Sequence, residues 1–235
     1  MLKKDLNLRS PVEKIIGIDN ISSSHFGAVL SRAGVGKTRF LVQVALTQLL
    51  RDEKIVHVSL EDSMEKINLR YNEGYTNLVD SIGYVDPQKA LRLWEDLNLN
   101  KVGISYNEAS FDTAKIRDYL NSFHKAQLPM PAIMIIDGLN FDDDVTEILE
   151  ELKALNQEFA ISIWFAMRSH RDEALGRDGF PVQLETRQAL FDKAVFLQPE
   201  NNKIQAIVLK DGKNTNQKFL LEPATMMLQE MGVTQ

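Results

Sequence analysis

Cysteine is absent from the chain, which removes disulfides, thiolate nucleophiles and Cys-ligated zinc together. The histidines, His25, His57, His124 and His170, fall without the short spacing that zinc ligands need. No apolar run approaches the ~20 residues of a membrane-spanning helix, and the N-terminal residues lack the apolar stretch of a secretory signal. The expectation is a cytoplasmic protein without membrane association. Positive charge is in short supply: 27 Lys and Arg stand against 33 Asp and Glu, a net charge of −6. Non-specific affinity for nucleic acid comes from clustered cations that neutralise phosphates. A nucleic-acid partner is therefore allowed by the sequence but finds no support in its charge. Internal repeats and low-complexity tracts are also missing.

What is present is ordinary for a globular fold, 44% apolar and 26% charged residues over a length of 235 that suits one α/β domain with a small appendage. The densest signal is Ser31, Arg32, Ala33, Gly34, Val35, Gly36, Lys37 and Thr38. It follows a short apolar strand over 27–30 and precedes an amphipathic run over 39–50. Strand, glycine loop and helix, in that order, are the setting in which a P-loop has mechanical meaning. Backbone N–H groups wrap a β-phosphate there, Gly34 and Gly36 are free to take conformations closed to other residues, and the helix points its positive end at the same place. Lys37 then reaches the β- and γ-oxygens and Thr38 offers its hydroxyl to Mg²⁺. The expected ligands are ATP and Mg²⁺, held by residues 31–38 with Arg39. Ser31 stands where the consensus opens with glycine.

Along the chain, residues 1–24 read as a polar arm with one short helix from Pro11 to Ile16, and 25–235 as the domain proper. A β-rich run over 54–60 leads through Ser63, a helix cap, into a helix over 64–71. His57 within that strand is expected to be a packed core histidine. Asp86 and Pro87 open a helix over 88–97, residues 101–106 form a short strand, and the spacing of Ile116, Tyr119, Leu120 and Phe123 predicts a helix over 113–125. Trp94, Tyr119 and Phe123 are assigned to the core. The continuous apolar run 132–136 is a central parallel strand buried on both faces. A helix over 145–155 and a buried strand over 160–167 follow. After a long charged loop, short strands over 194–197, 204–209, 218–221 and 225–228 form an antiparallel meander, turned at Asn201 and Asn202 and at Asp211 and Gly212.

Further residues give the P-loop a mechanism. Asp137 closes the apolar run and is the natural Walker B carboxylate, ordering Mg²⁺ beside Thr38. Glu61 ends the strand after the P-loop helix, where strand ends of a parallel sheet gather around a nucleotide, so it can polarise the attacking water. Asp62 is its close competitor. Arg168 closes the strand after Walker B and suits a γ-phosphate sensor, with Ser169 and His170 as substitutes.

This succession of strand, P-loop, strand-end Glu61, Walker B, polar strand end and hairpin resembles the ATPase core of the RecA superfamily, nearest the KaiC/RadA and DnaB-helicase branch. The resemblance spans roughly residues 12–222. It implies a RecA-like α/β fold, a mostly parallel central sheet flanked by helices with a C-terminal antiparallel β meander. It also implies that Glu61 activates water, and that a lysine of the C-terminal hairpin, Lys210 or Lys213, enters a neighbouring subunit's site as a finger. A finger in trans ties hydrolysis to a homo-oligomeric ring or filament, or to a partner protein. The loops that contact DNA in that family would fall near 138–145 and 169–186. The first holds Asp142, Asp143 and Asp144, which would repel a phosphate backbone, so a regulatory ATPase is favoured over a recombinase or helicase.

Two other enzymes stay open. A ParA/MinD-type ATPase would place its signature lysine at Arg32, and arginine does not substitute freely for lysine. A P-loop kinase would use Arg168, Arg171 and Arg177 on a lid over 168–180. A GTPase is disfavoured because Asn100 and Lys101 lack the aspartate that reads guanine. A domain that binds nucleotide without turnover is the non-enzymatic alternative.

Overall fold

The computed structural model describes residues 2–9, 12–16, 24–170, 176 and 180–230. The apolar runs of the sequence become the strands β1 (Phe26–Ser31), β2 (Ile55–Ser59), β3 (Lys101–Ser105), β4 (Ile133–Asp137), β5 (Ser162–Arg168), β6 (Lys193–Glu200), β7 (Lys203–Asp211), β8 (Lys213–Leu221) and β9 (Leu228–Glu230). They form one sheet in the order β3-β2-β4-β5-β1-β6-β7-β8-β9. Pairing is parallel from β3 through to β6 and antiparallel from β6 to β9. The mostly parallel sheet and its antiparallel end are those expected from the sequence. Asn201 and Gly212, with φ of 54° and 67°, turn the meander where the sequence placed its turns.

Each face of the sheet has its own core, which is why the central strands read as continuous apolar runs. One face buries Val29, Ile133, Ile135, Trp164 and Ala166 under α3 (Lys37–Leu49) and α4 (Met64–Asp80). The other buries Leu30, Met134, Ile136, Ile163 and Phe165 under α6 (Thr113–Lys125) and α7 (Thr146–Glu158). Side-chain caps start the helices as read: Ser63 accepts from the Lys66 amide, and Asp86 from the Gln88 amide of α5 (Pro87–Asn98). Among the described residues no helix is long and apolar enough to cross a membrane.

Several boundaries differ from the sequence reading. The arm holds two helices, α1 (Leu2–Arg9) and α2 (Val12–Ile16), where one was expected. Leu6, Val12 and Ile15 are buried in the α3 core, and Glu13 pairs with Arg51 at 2.7 Å. The helix expected over 64–71 runs on to Asp80, burying Ile67, Tyr71, Tyr75 and Leu78 along one stripe. Trp94, assigned to the core, is half-buried: it stacks on Tyr75 with ring centroids 4.8 Å apart, because α5 lies on the rim. The last strand is Leu228–Glu230 instead of 225–228. Met226 adopts φ 58°, and Gln43 of α3 donates to the Met226 carbonyl and accepts from the Leu228 amide at 2.9 Å. That grip turns the chain onto α3 before it can extend.

His57 is fully buried in β2, as expected of a core histidine, with Nδ1 3.0 Å from the Tyr71 hydroxyl. Its Nε2 has no hydrogen-bond partner among the described residues. Desolvation, and then the positive charges of Lys101 and Arg70, lower its pKa from 6.5 to about 3. The unfolded chain therefore binds a proton that the folded chain refuses. Stability is undiminished above the ordinary pKa and falls as pH drops from 6.5 towards 3, by ~1.4 kcal/mol per unit. Urea unfolding at pH 7 and pH 4.5 should show a loss of ~2 to 3 kcal/mol from this group. His57→Gln should flatten that limb; an acid limb as steep as wild type would sink the assignment.

Candidate active site

Parallel pairing brings four strand ends to one edge. Ser59 lies beside Asp137, and Ser31 beside Arg168, in register. The cavity at this edge has a volume of about 740 Å³ and is lined by the P-loop, Glu61, Asp137 and Arg168 together with one face of α4. This is the carboxyl-end crevice where open α/β sheets bind ligands.

The loop behaves as its sequence requires. Gly34 and Gly36 have φ of 77° and 118°. At Gly36, the N-cap of α3, the backbone conformation demands glycine, and a Cβ there would also lie 1.9 Å from the Met226 methyl, which would have to swing aside. Ser31 is the last residue of β1, fully buried and without a positive φ, which is why the consensus glycine is dispensable there. Ala33 is exposed at the tip and Val35 packs against the core. Lys37 Nζ donates to the carbonyls of Ser31 at 3.1 Å and Arg32 at 3.3 Å. Burial pushes its pKa down; Asp137 pulls it up, Arg168 lowers it and Glu61 raises it. Those three are the groups that the sequence assigned to the same site. Arg39, half-buried on α3, pairs with Glu73 of α4 at 2.9 Å.

Asp137 ends β4 at the cavity floor. Burial raises its pKa, while a hydrogen bond from the Thr38 hydroxyl and the charges of Arg70 and Lys37 lower it. The next residue, Gly138, has φ 94°, and a Cβ there would sit 2.8 Å from Glu61 Cγ and 3.0 Å from its amide nitrogen. Only glycine lets the turn after Asp137 and the Glu61 turn lie against each other, and the Leu60 amide closes the contact by donating to the Asp137 carbonyl at 2.8 Å.

The structure separates Glu61 from its competitor. Asp62 is consumed by two cations, Lys66 at 2.6 Å and Arg70 at 2.9 Å. Glu61 is exposed to the cavity and makes no hydrogen bond or ion pair among the described residues. Arg168 is likewise exposed on the cavity wall, whereas the Ser169 amide is tied to the Ser31 carbonyl at 3.0 Å and His170 to Asp142 at 2.7 Å.

Lys210 and Lys213 are not brought to this cavity. Lys193 of β6 lies beside Gly27, at the start of β1, and opposite Asp211, so the Gly212 turn falls at the end of the sheet away from the P-loop. Lys210 donates to the Gln188 carbonyl at 2.8 Å. The Lys213 side chain lies outside the described residues, as do Arg171 and Arg177 of the expected lid.

Sequence reasoning missed Lys66, Arg70 and Glu73, which line the cavity from α4, and Pro223 and Met226, which line it from the C-terminal segment. The i, i+4, i+7 spacing of the three α4 residues was a readable signal, since it puts them on one face directly after Glu61. Nothing local marks Met226.

No protein-family model and no curated protein matches the chain. Solved structures do. One, described as an ATPase domain, superposes with a TM-score of 0.61 at 17% identity, over 88% of this chain and 84% of that one. A DnaB-like replicative helicase, whose structure was described with its interactions with primase, superposes with a TM-score of 0.62 at 17% identity. That match covers 84% of this chain and 56% of the helicase, so the chain spans little more than half the helicase's length.

Proposed function

We propose that the chain, which has the RecA-like fold of DnaB-type ATPase domains, binds ATP with Mg²⁺ and hydrolyses it, in a form coupled to self-assembly or to a partner protein. The supporting observation is the convergence of Lys37, Thr38, Asp137 and a Glu61 with no partner among the described residues on one cavity at the sheet's carboxyl edge.

The residues fit a Mg²⁺ ion. The Asp137 carboxylate and the Thr38 hydroxyl, already hydrogen-bonded to each other, are hard oxygen donors. Among the described residues no group of three His, Asp or Glu could hold a metal unaided, in keeping with an ion that shares its shell with phosphates. An ion held by Thr38 and Asp137 would supply charge neutralisation at the phosphate oxygens. Lys37 would exchange its two carbonyl contacts for phosphate oxygens. Glu61 would orient a water and accept its proton, and Arg168 would contact the terminal phosphate. Arg39 and Glu73 line the same cavity.

We favour a regulatory role in the cytoplasm over strand separation. The net charge is −6, and the acidic run after Walker B is drawn into a local network, Asp142 with His170 and the Asp143 carbonyl with Arg187 at 3.2 Å. The test is phosphate release from ATP·Mg²⁺ measured against chain concentration, with light scattering alongside. A rate per chain that climbs as assemblies form is the expected result. Binding without release at any concentration would overturn hydrolysis, and a constant rate per chain would overturn the coupling.

A further inference from the structure

Beyond its packing on Gly138, Glu61 is held through its neighbours, and those ties are few. The Leu60 amide reaches the Asp137 carbonyl at 2.8 Å, and the Asp62 amide reaches the Ser59 hydroxyl at 3.0 Å. Both ties run back to strand ends. Forward into α4 run the Ser63 cap and the Asp62 carboxylate, which takes Lys66 on Oδ1 and Arg70 on Oδ2. Lys66 is 56% exposed and sits one helical turn away, the kind of contact that holds little. Arg70 is 25% exposed against an Asp62 that is 19% exposed, and it lines the same cavity wall as Glu61 and Asp137. Arg70, the more sheltered of the two cations, is the stiffer anchor.

We propose that Arg70 is a positioning residue for hydrolysis: through Asp62 it locks the turn over 60–62 to α4, so that Glu61 faces the cavity beside Asp137. The inference rests on the hydrolytic reading above. It also gives the two carboxylates separate roles. Asp62 is neutralised as an anchor, and Glu61 is left to accept a proton. At 25% and 19% exposed the pair is more sheltered than a surface ion pair, so its loss costs the fold more than a surface pair would, and kcat and binding are compared on protein shown to be folded. The effect on rate is larger, since a displacement of ~1 Å at a catalytic group costs about 10²-fold.

The experiment compares Arg70→Gln, Arg70→Lys, Asp62→Asn and the Arg70→Gln/Asp62→Asn double variant in the full chain. Steady-state kcat, ATP·Mg²⁺ binding and amide hydrogen exchange over residues 59–64 are read for each. Arg70→Gln should lower kcat about 30- to 100-fold while Kd moves less than about threefold. Exchange over 59–64 should quicken. Arg70→Lys should recover most of the rate, because the contact to Asp62 is a single one. The double variant should cost no more than the worse single, the signature of two residues acting as a unit. Wild-type kcat in Arg70→Gln, a fall of kcat and binding together, or additive losses would each overturn the proposal. Should the unmodified chain release no phosphate, the hydrolytic reading falls separately. The exchange measurement still decides the lock, which unchanged exchange in Arg70→Gln overturns and faster exchange upholds.

Discussion

Glu61→Gln should bind ATP·Mg²⁺ as tightly as the unmodified chain and release phosphate at least ~10²-fold more slowly. General-base catalysis by a placed side chain is typically worth ~10² to 10⁴ in rate, and the amide cannot take the proton. The substitution is otherwise quiet. Gln has the shape of Glu, so the packing on Gly138 survives, and Glu61 leaves no partner stranded among the described residues. Stability should stay within ~0.5 kcal/mol of wild type, as for other exposed positions. Single-turnover phosphate release, with a nucleotide titration on the same sample, checks both halves. A wild-type rate would remove Glu61 as the base.

Lys37→Ala should lose nucleotide binding itself, by ~10² to 10³-fold in Kd. A charged hydrogen bond contributes about 1.5–3 kcal/mol, and Lys37 Nζ faces two carbonyl acceptors that phosphate oxygens would replace. The loop would keep its form without the lysine, because it is set by the backbone at Gly34 and Gly36 and by the buried β1. Thermal unfolding without nucleotide should therefore be close to wild type, while the stabilisation that ATP confers by mass action disappears. If Lys37→Ala bound ATP within about threefold of wild type, the P-loop reading would not survive.

The architecture was legible wherever a local rule agreed with its surroundings. The run 132–136 had to be buried on both faces, and Asp137 had to emerge at its end. The caps Ser63 and Asp86 hold their helices as read. Glu61 was legible through topology, since strand ends of a parallel sheet converge. What escaped were contacts made across long separations. Arg70 reaches Asp62, but its value depends on Ser59 and Asp137, which lie on strands that pair only in the fold. Gln43 holds Met226 and Leu228 over separations of 183 and 185 residues, and this displaced the last strand. The hairpin lysines were chosen by family likeness. Strand direction places their turn at the end of the sheet away from this chain's own cavity, and a finger that enters a neighbouring subunit's site depends on how two copies meet, which a single chain does not display.

The strand that ends in the P-loop lies between β5 and β6. Its register partners, residues 163–168 and 193–196, are separated from it by well over half the chain. On a ribosome adding ~5 to 20 residues per second, β1 emerges early and then has no neighbour for on the order of ten seconds or more. Such a contact pattern is slow to close, because distant ends must meet before any pairing rewards them. The cavity thus forms only once β5 and β6 have followed β1 out of the ribosome. Until then its apolar strand is a segment for chaperones to shield.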